Sequence, residues 1–230
     1  VELRVTEHRV RLGRADFRVL RPASPLARTL VVGREWSVEV LVGGADAAAV
    51  AALWLLAARS PRSLVHLPVR ATTPPAGGLW PGDLPLDLVL SHRGLQFSPS
   101  DWKDVRAGLG RGRLRTAELP EVAALAPVDH DAYAHVPDRE RLHERVHADT
   151  LFVTGDAPLF REVARLHLDV AAGGGHHGTH DHLGVEHYCQ EVHPSSNVLG
   201  RGARRLHLVH TARWTSTGRR GAGPPLGREV

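Results

Sequence analysis

The chain predicts an α/β fold: a mixed β-sheet with three to four helices. Three observations carry that expectation. Hydrophobic residues make up 42% and charged residues 23% of the 230 positions, the balance of a chain that buries a core rather than one that stays unfolded. Short alternating apolar runs of strand length recur along it. Between them, a strand–loop–helix rhythm occurs three times, with apolar spacing switching to the helical period. Aromatic residues are only 5%, so the core must rest on Leu, Val and Ala.

The elements follow in order. Val10 and Leu12, then Phe17 and Val19, alternate on either side of Gly13–Asp16 and predict a hairpin. Leu30–Val32 and Trp36–Val42 predict two further strands, the second with Trp36, Val38 and Val40 on one face. Gly43-Gly44 ends that strand, and Asp46 is placed to cap a helix over Ala47–Arg59 with Trp54 buried. Ser63–Leu67 predicts a strand returning after that helix, as a crossover or antiparallel. Five prolines between Pro68 and Pro85 mark a long loop, and Leu86–Leu90 a buried strand. Ser98-Pro99-Ser100-Asp101 has the chemistry of a helix start, with an end near Gly108–Gly110. Residues 111–136 read as a linker between an N-terminal α/β region (1–110) and a C-terminal one (137–214), unless the two are one continuous domain. Asp138 to about Ala148 predicts a short helix, Leu151–Val153 a strand and Pro158–Val170 a helix. Residues 176–187 form a His-rich loop, with strands at Val185–Val192 and Leu206–His210. Residues 215–230 lack apolar periodicity and read as a disordered tail.

Composition limits what the charge can mean. There is no Met and no Ile, Lys103 is the only Lys and Asn197 the only Asn. These are residues with AT-rich codons, so the simplest source is a GC-rich genome of the actinobacterial kind. The net charge is +4, with Arg supplying nearly every cation, and Arg in place of Lys raises the isoelectric point without selection for a polyanion. Val1 fits a GTG start, and residues 1–20 contain no apolar signal segment. Cys189 is the only cysteine, which excludes an internal disulfide. A cytoplasmic location is the expectation. The longest apolar run, Ala47–Ala58, would span about 18 Å as a helix, short of the roughly 30 Å bilayer core, so no membrane partner is expected.

Several motifs carry possible chemistry. His143-Glu144-Arg145-Val146-His147 matches HExxH and resembles the zincin metalloprotease signature. On a helix, the imidazoles of His143 and His147 would share one face to hold zinc, and Glu144 would activate its water as the catalytic group. Arg141 and Arg145 inside the segment, and the lack of a His at the metzincin third-ligand position, depart from that family. Thirteen of the 16 histidines lie after residue 129. Of these, His177, His180 and His182 are candidate ligands for a divalent metal such as zinc. His177–His182 is a near miss to the HxHxDH motif of the metallo-β-lactamase fold, with one His displaced and too little chain following. Cys189 is a candidate nucleophile between His187 and His193, and a strand there would put His187, Cys189 and Glu191 on one face. Leu90–Gly94 resembles the first box of TIR domains. Its Ser91, His92 and Arg93 sit where α/β sheets bind ligands, at a strand's C-terminal end. Arg111, Arg113 and Arg115 alternate with Gly and Leu, and further arginines crowd the C-terminus, as in a phosphate-contacting surface.

No catalytic set is complete. The expectation is therefore an accessory or regulatory protein that acts by binding a protein or small-molecule partner. A zinc hydrolase built on His143, Glu144 and His147 is the alternative, and an Arg-mediated nucleic-acid binder the third.

Overall fold

A computed structural model describes residues 1–75, 79–121, 126–172, 187–211 and 214. Among them, eleven strands form one mixed sheet with four helices. The strands are β1 (Glu2–Leu12), β2 (Ala15–Pro22), β3 (Thr29–Gly33), β4 (Ser37–Gly43), β5 (Ser63–Leu67), β6 (Leu84–His92), β7 (Arg113–Glu118), β8 (His143–His147), β9 (Thr150–Gly155), β10 (Tyr188–Val192) and β11 (Arg205–Thr211). The helices are α1 (Gly44–Arg59), α2 (Trp102–Ala107), α3 (His130–Tyr133) and α4 (Ala157–Ala171).

The sheet runs β10-β11-β4-β3-β6-β5-β2-β1-β7, with β9 added to β6 and β8 to β9. It branches along β6, where Leu84–Leu86 pair with β3 and Asp87–His92 pair with β9. Strands from both halves of the chain therefore interleave: β9 lies parallel to β6, and β11 parallel to β4. The unit β4–α1–β5 is an antiparallel return, since β4, β3, β6 and β5 alternate in direction.

α1 is apolar nearly all round, as a helix sandwiched between layers must be. It lies between the sheet and α4 and buries ten side chains, including Trp54. Trp54 meets Phe160 of α4 edge-on at 5.8 Å. The opposite face is closed by α2, whose Trp102 packs on Phe152 and donates from Nε1 to Thr150 Oγ1 at 3.0 Å. A third, smaller core of Leu30, Val32, Leu41, Cys189 and Val209 lies under Leu79 and Trp214.

The fold differs from the sequence expectation at four places. The helix expected from Asp138 is a single 3₁₀ turn, Asp138–Glu140, followed by strand β8. Ala148 and Asp149 both take positive φ, about 50° and 56°, the two-residue turn that hairpins favour. Pairing with β9 thus overrides the helical spacing of His143 and His147. Within the expected linker, residues 113–118 are β7, paired antiparallel with β1. Asp46 does not cap α1; its Oδ2 accepts from the Arg28 amide at 2.7 Å and Thr29 Oγ1 at 3.0 Å, tying the helix to β3. Trp36 stands 74% exposed in the β3–β4 turn rather than beside Val38 and Val40. The expected His-rich loop up to residue 186 and the tail after Trp214 lie outside the described residues. No helix among the described residues is long and apolar enough to cross a membrane.

Candidate metal centre

β10 is too short to stand alone and is held by β11, with Cys189 opposite Val209 and Glu191 opposite His207. Alternation along a strand puts His187, Cys189 and Glu191 on one face. His207 comes to that face from β11, one step diagonal from Cys189. The donor atoms of His187, Cys189 and His207 all lie within 4.8 Å of one another, and all three residues are buried. The two imidazole rings approach edge-on, with centroids 6.4 Å apart. A tetrahedral zinc with ordinary Zn–S and Zn–N bonds sets its donors about 3.3–3.6 Å apart, so small side-chain rotations separate the observed arrangement from a ligand set.

The surroundings fit such a centre. On the far side of β11, Glu39 of β4 stands in register with His207. Its Oε1 lies 3.6 Å from His207 Nδ1, the position of a carboxylate that orients a ligating imidazole. Glu39 Oε2 is paired in turn with Arg34 at 3.2 Å, and Arg34 with Asp83 at 3.1 Å. The Arg34 guanidinium lies over the Trp80 ring, 4.7 Å from its centroid. Burial, with the charges of Glu191 and Glu39, pushes the Cys189 thiol up to about 11. Without a cation, that thiol is neutral and a poor nucleophile.

The other expected site residues are placed differently. His143 and His147 sit at the two ends of β8, on one face but about 13 Å apart along the strand. The helical pair of ligands is not formed. His143 Nε2 bonds the Asp138 carbonyl at 2.8 Å. Glu144 points to the other face, where Arg204 grips its two oxygens at 2.8 Å each. His193 turns away from Cys189 and bonds Ser195. Glu191 pairs with Arg205 at 3.2 Å near the surface. His177, His180 and His182 lie outside the described residues.

Ser91 is buried within β6. His92 accepts from the Gly94 amide at 3.1 Å, and burial lowers its pKa. Arg93 donates to the carbonyls of Arg139 and Glu140 and pairs with Asp156, the capping residue of α4, at 2.8 Å. These three contacts fasten the turn before β8 to the start of α4.

Two further buried polar clusters serve packing. Asp87 accepts from the Arg70 amide at 3.1 Å and lies 3.8 Å from His66. Burial raises its pKa, but these partners outweigh it and hold the carboxyl below its ordinary value. Glu162 of α4 is likewise opposed by burial and held low by Arg165 and the Val128 amide. His207 and Glu39 are the residues sequence reasoning missed. Their one local signal is a polar side chain alternating into an otherwise apolar strand. No protein-family model, no curated protein and no solved structure matches this chain.

Proposed function

We propose that the protein is an accessory, metal-binding protein that holds one zinc ion through His187, Cys189 and His207. The observation that carries this reading is the convergence of two imidazoles and the chain's sole thiol within 4.8 Å on a buried sheet face. One thiolate and two imidazoles suit zinc or copper. Zinc is favoured because the chain has no Met to act as the axial thioether common in copper sites. All three residues are buried, which limits a substrate's access to the ion, and three protein ligands leave the fourth position of a tetrahedral zinc to be completed. This reading keeps the binding class expected from sequence and assigns the ion to the β10–β11 face rather than to the His143–His147 segment of the hydrolase alternative.

The test is elemental analysis of untagged protein, before and after dialysis against a chelator and reloading with zinc. One zinc per chain is expected, lost in Cys189→Ser and His207→Ala and kept in His143→Ala. Protein that neither carries zinc nor takes it up, or zinc lost only in His143→Ala, would overturn the proposal.

A further inference from the structure

At the end of the sheet far from the metal centre, the face of β2, β1 and β7 that buries Leu3, Val5 and Leu20 in the α1 core runs on into an exposed stretch. Register fixes what it presents. Arg9 stands directly opposite Arg18, and Arg11 opposite Asp16. Glu7 stands opposite Arg113, and Val5 opposite Arg115. Odd positions of β1 share one face, so Arg9, Arg11, Arg18, Arg113 and Arg115 project together, with Arg62 at the rim. Glu7 and Asp16 are the acids among them. Arg9, Arg18 and Arg62, with Asp16 and Phe17, line a depression of about 470 Å³. Arg9 is 79% exposed and pairs with one Glu7 oxygen at 3.1 Å, Arg115 lies 3.8 Å from the other, and Arg18 is anchored by Ser63 at 2.6 Å.

Two features set this face apart from an ordinary solvated surface. Like charges directly opposite each other across antiparallel strands are destabilising, and Arg9–Arg18 is such a pair. Its geometry also repeats: guanidinium stems stand about 5 Å apart across strands and about 7 Å apart along them. We infer that this face binds the phosphodiester backbone of a single-stranded nucleic acid, without sequence preference. A protein partner would need an apolar centre to its interface; on this face Glu7, Arg9 and Arg11, with Asp16, Arg18 and Arg113 opposite them, are charged, and Leu20, opposite Glu7, is buried. Cations alone supply the sequence-independent attraction to a phosphate backbone. The inference rests on strand register and does not depend on the metal centre.

The experiment is fluorescence anisotropy of the full chain with a labelled 20-nucleotide oligo-dT over a salt series. Engagement of four arginines predicts a log–log salt slope of about −3. Arg113→Ala/Arg115→Ala should weaken binding about tenfold and reduce the slope by about 1.4. Arg9→Ser should weaken binding without lowering the thermal midpoint, a combination that a merely structural arginine would not give. Arg145→Ala/Arg201→Ala removes equal charge from elsewhere on the surface and should leave affinity unchanged. No binding at low salt, or equal loss in the Arg145/Arg201 control, would overturn the inference. So would equally tight binding of polyglutamate or of vesicles containing anionic lipid.

Discussion

Two of the described places where histidines stand near an acid differ in how the backbone spaces them. On β8, His143 and His147 lie along one strand, with Glu144 between them facing the other way. At the far end of the sheet, His187, Cys189 and His207 come from both sides of a strand pair, with Glu39 behind on a third strand. Four residues along a strand separate side chains by about 13 Å, whereas neighbouring strands lie under 5 Å apart. A sheet therefore builds a ligand set across its strands, and a helix builds one along its axis. The same motif letters have different chemical worth in the two settings.

The contrast is broken most directly by metal affinity. His207→Ala should lower zinc affinity by at least a hundredfold, and His143→Ala should leave it unchanged, both read by competition with a chromophoric chelator. Equal effects from the two would erase the distinction. Glu39→Gln comes next. Losing the carboxylate that orients a ligating imidazole costs about 10–100-fold in affinity, and His207 should still bind. Glu144→Ala tests the other side. The bidentate pair with Arg204 is partly buried, so its loss should destabilise the fold by about 1–3 kcal/mol in urea unfolding, with zinc content unchanged.

The smallest expected effect at neutral pH concerns a histidine that burial alone controls. His167 of α4 is buried beside Trp54, and desolvation lowers its pKa from 6.5 to about 3. The unfolded chain takes up a proton below pH 6.5 that the folded one refuses until about pH 3. Stability is thus complete above 6.5 and falls through that window as pH drops. Relative to wild type, His167→Leu should flatten this limb, by about 2 kcal/mol at pH 5 and by almost nothing from this source at pH 7. An unchanged acid limb in denaturant midpoints measured from pH 8 to 4 would count against it.

Much of the fold was legible because it is written locally. Gly13 between two alternating runs announces the β1–β2 hairpin, and the short run Ser63–Leu67, bounded by Pro61 and Pro68, forms β5 with all five residues buried. The long, strongly amphipathic α4 was equally plain, with Phe160, Val163 and Val170 inward. β8 defeats a local reading because His143–His147 fits either period, and its partner β9 decides the matter. The candidate centre was only half legible. Alternation alone puts His187 and Cys189 together. His207 joins them only through the β10–β11 register, and Glu39 only through a parallel pairing that no local pattern announces.

That parallel pairing also bears on the order of folding. β11 docks on β4 across about 170 residues of intervening chain, a closure that is slow because its entropy is lost before any contact repays it. The β1–β2 and β8–β9 hairpins need no such search. A chain that has formed its hairpins and its α1–α4 layer still lacks His207 beside Glu39. Assembly of the C-terminal strands is then the late kinetic step, and capture of an ion there would act as a latch, slowing the escape of β10 and β11 more than it hastens their arrival.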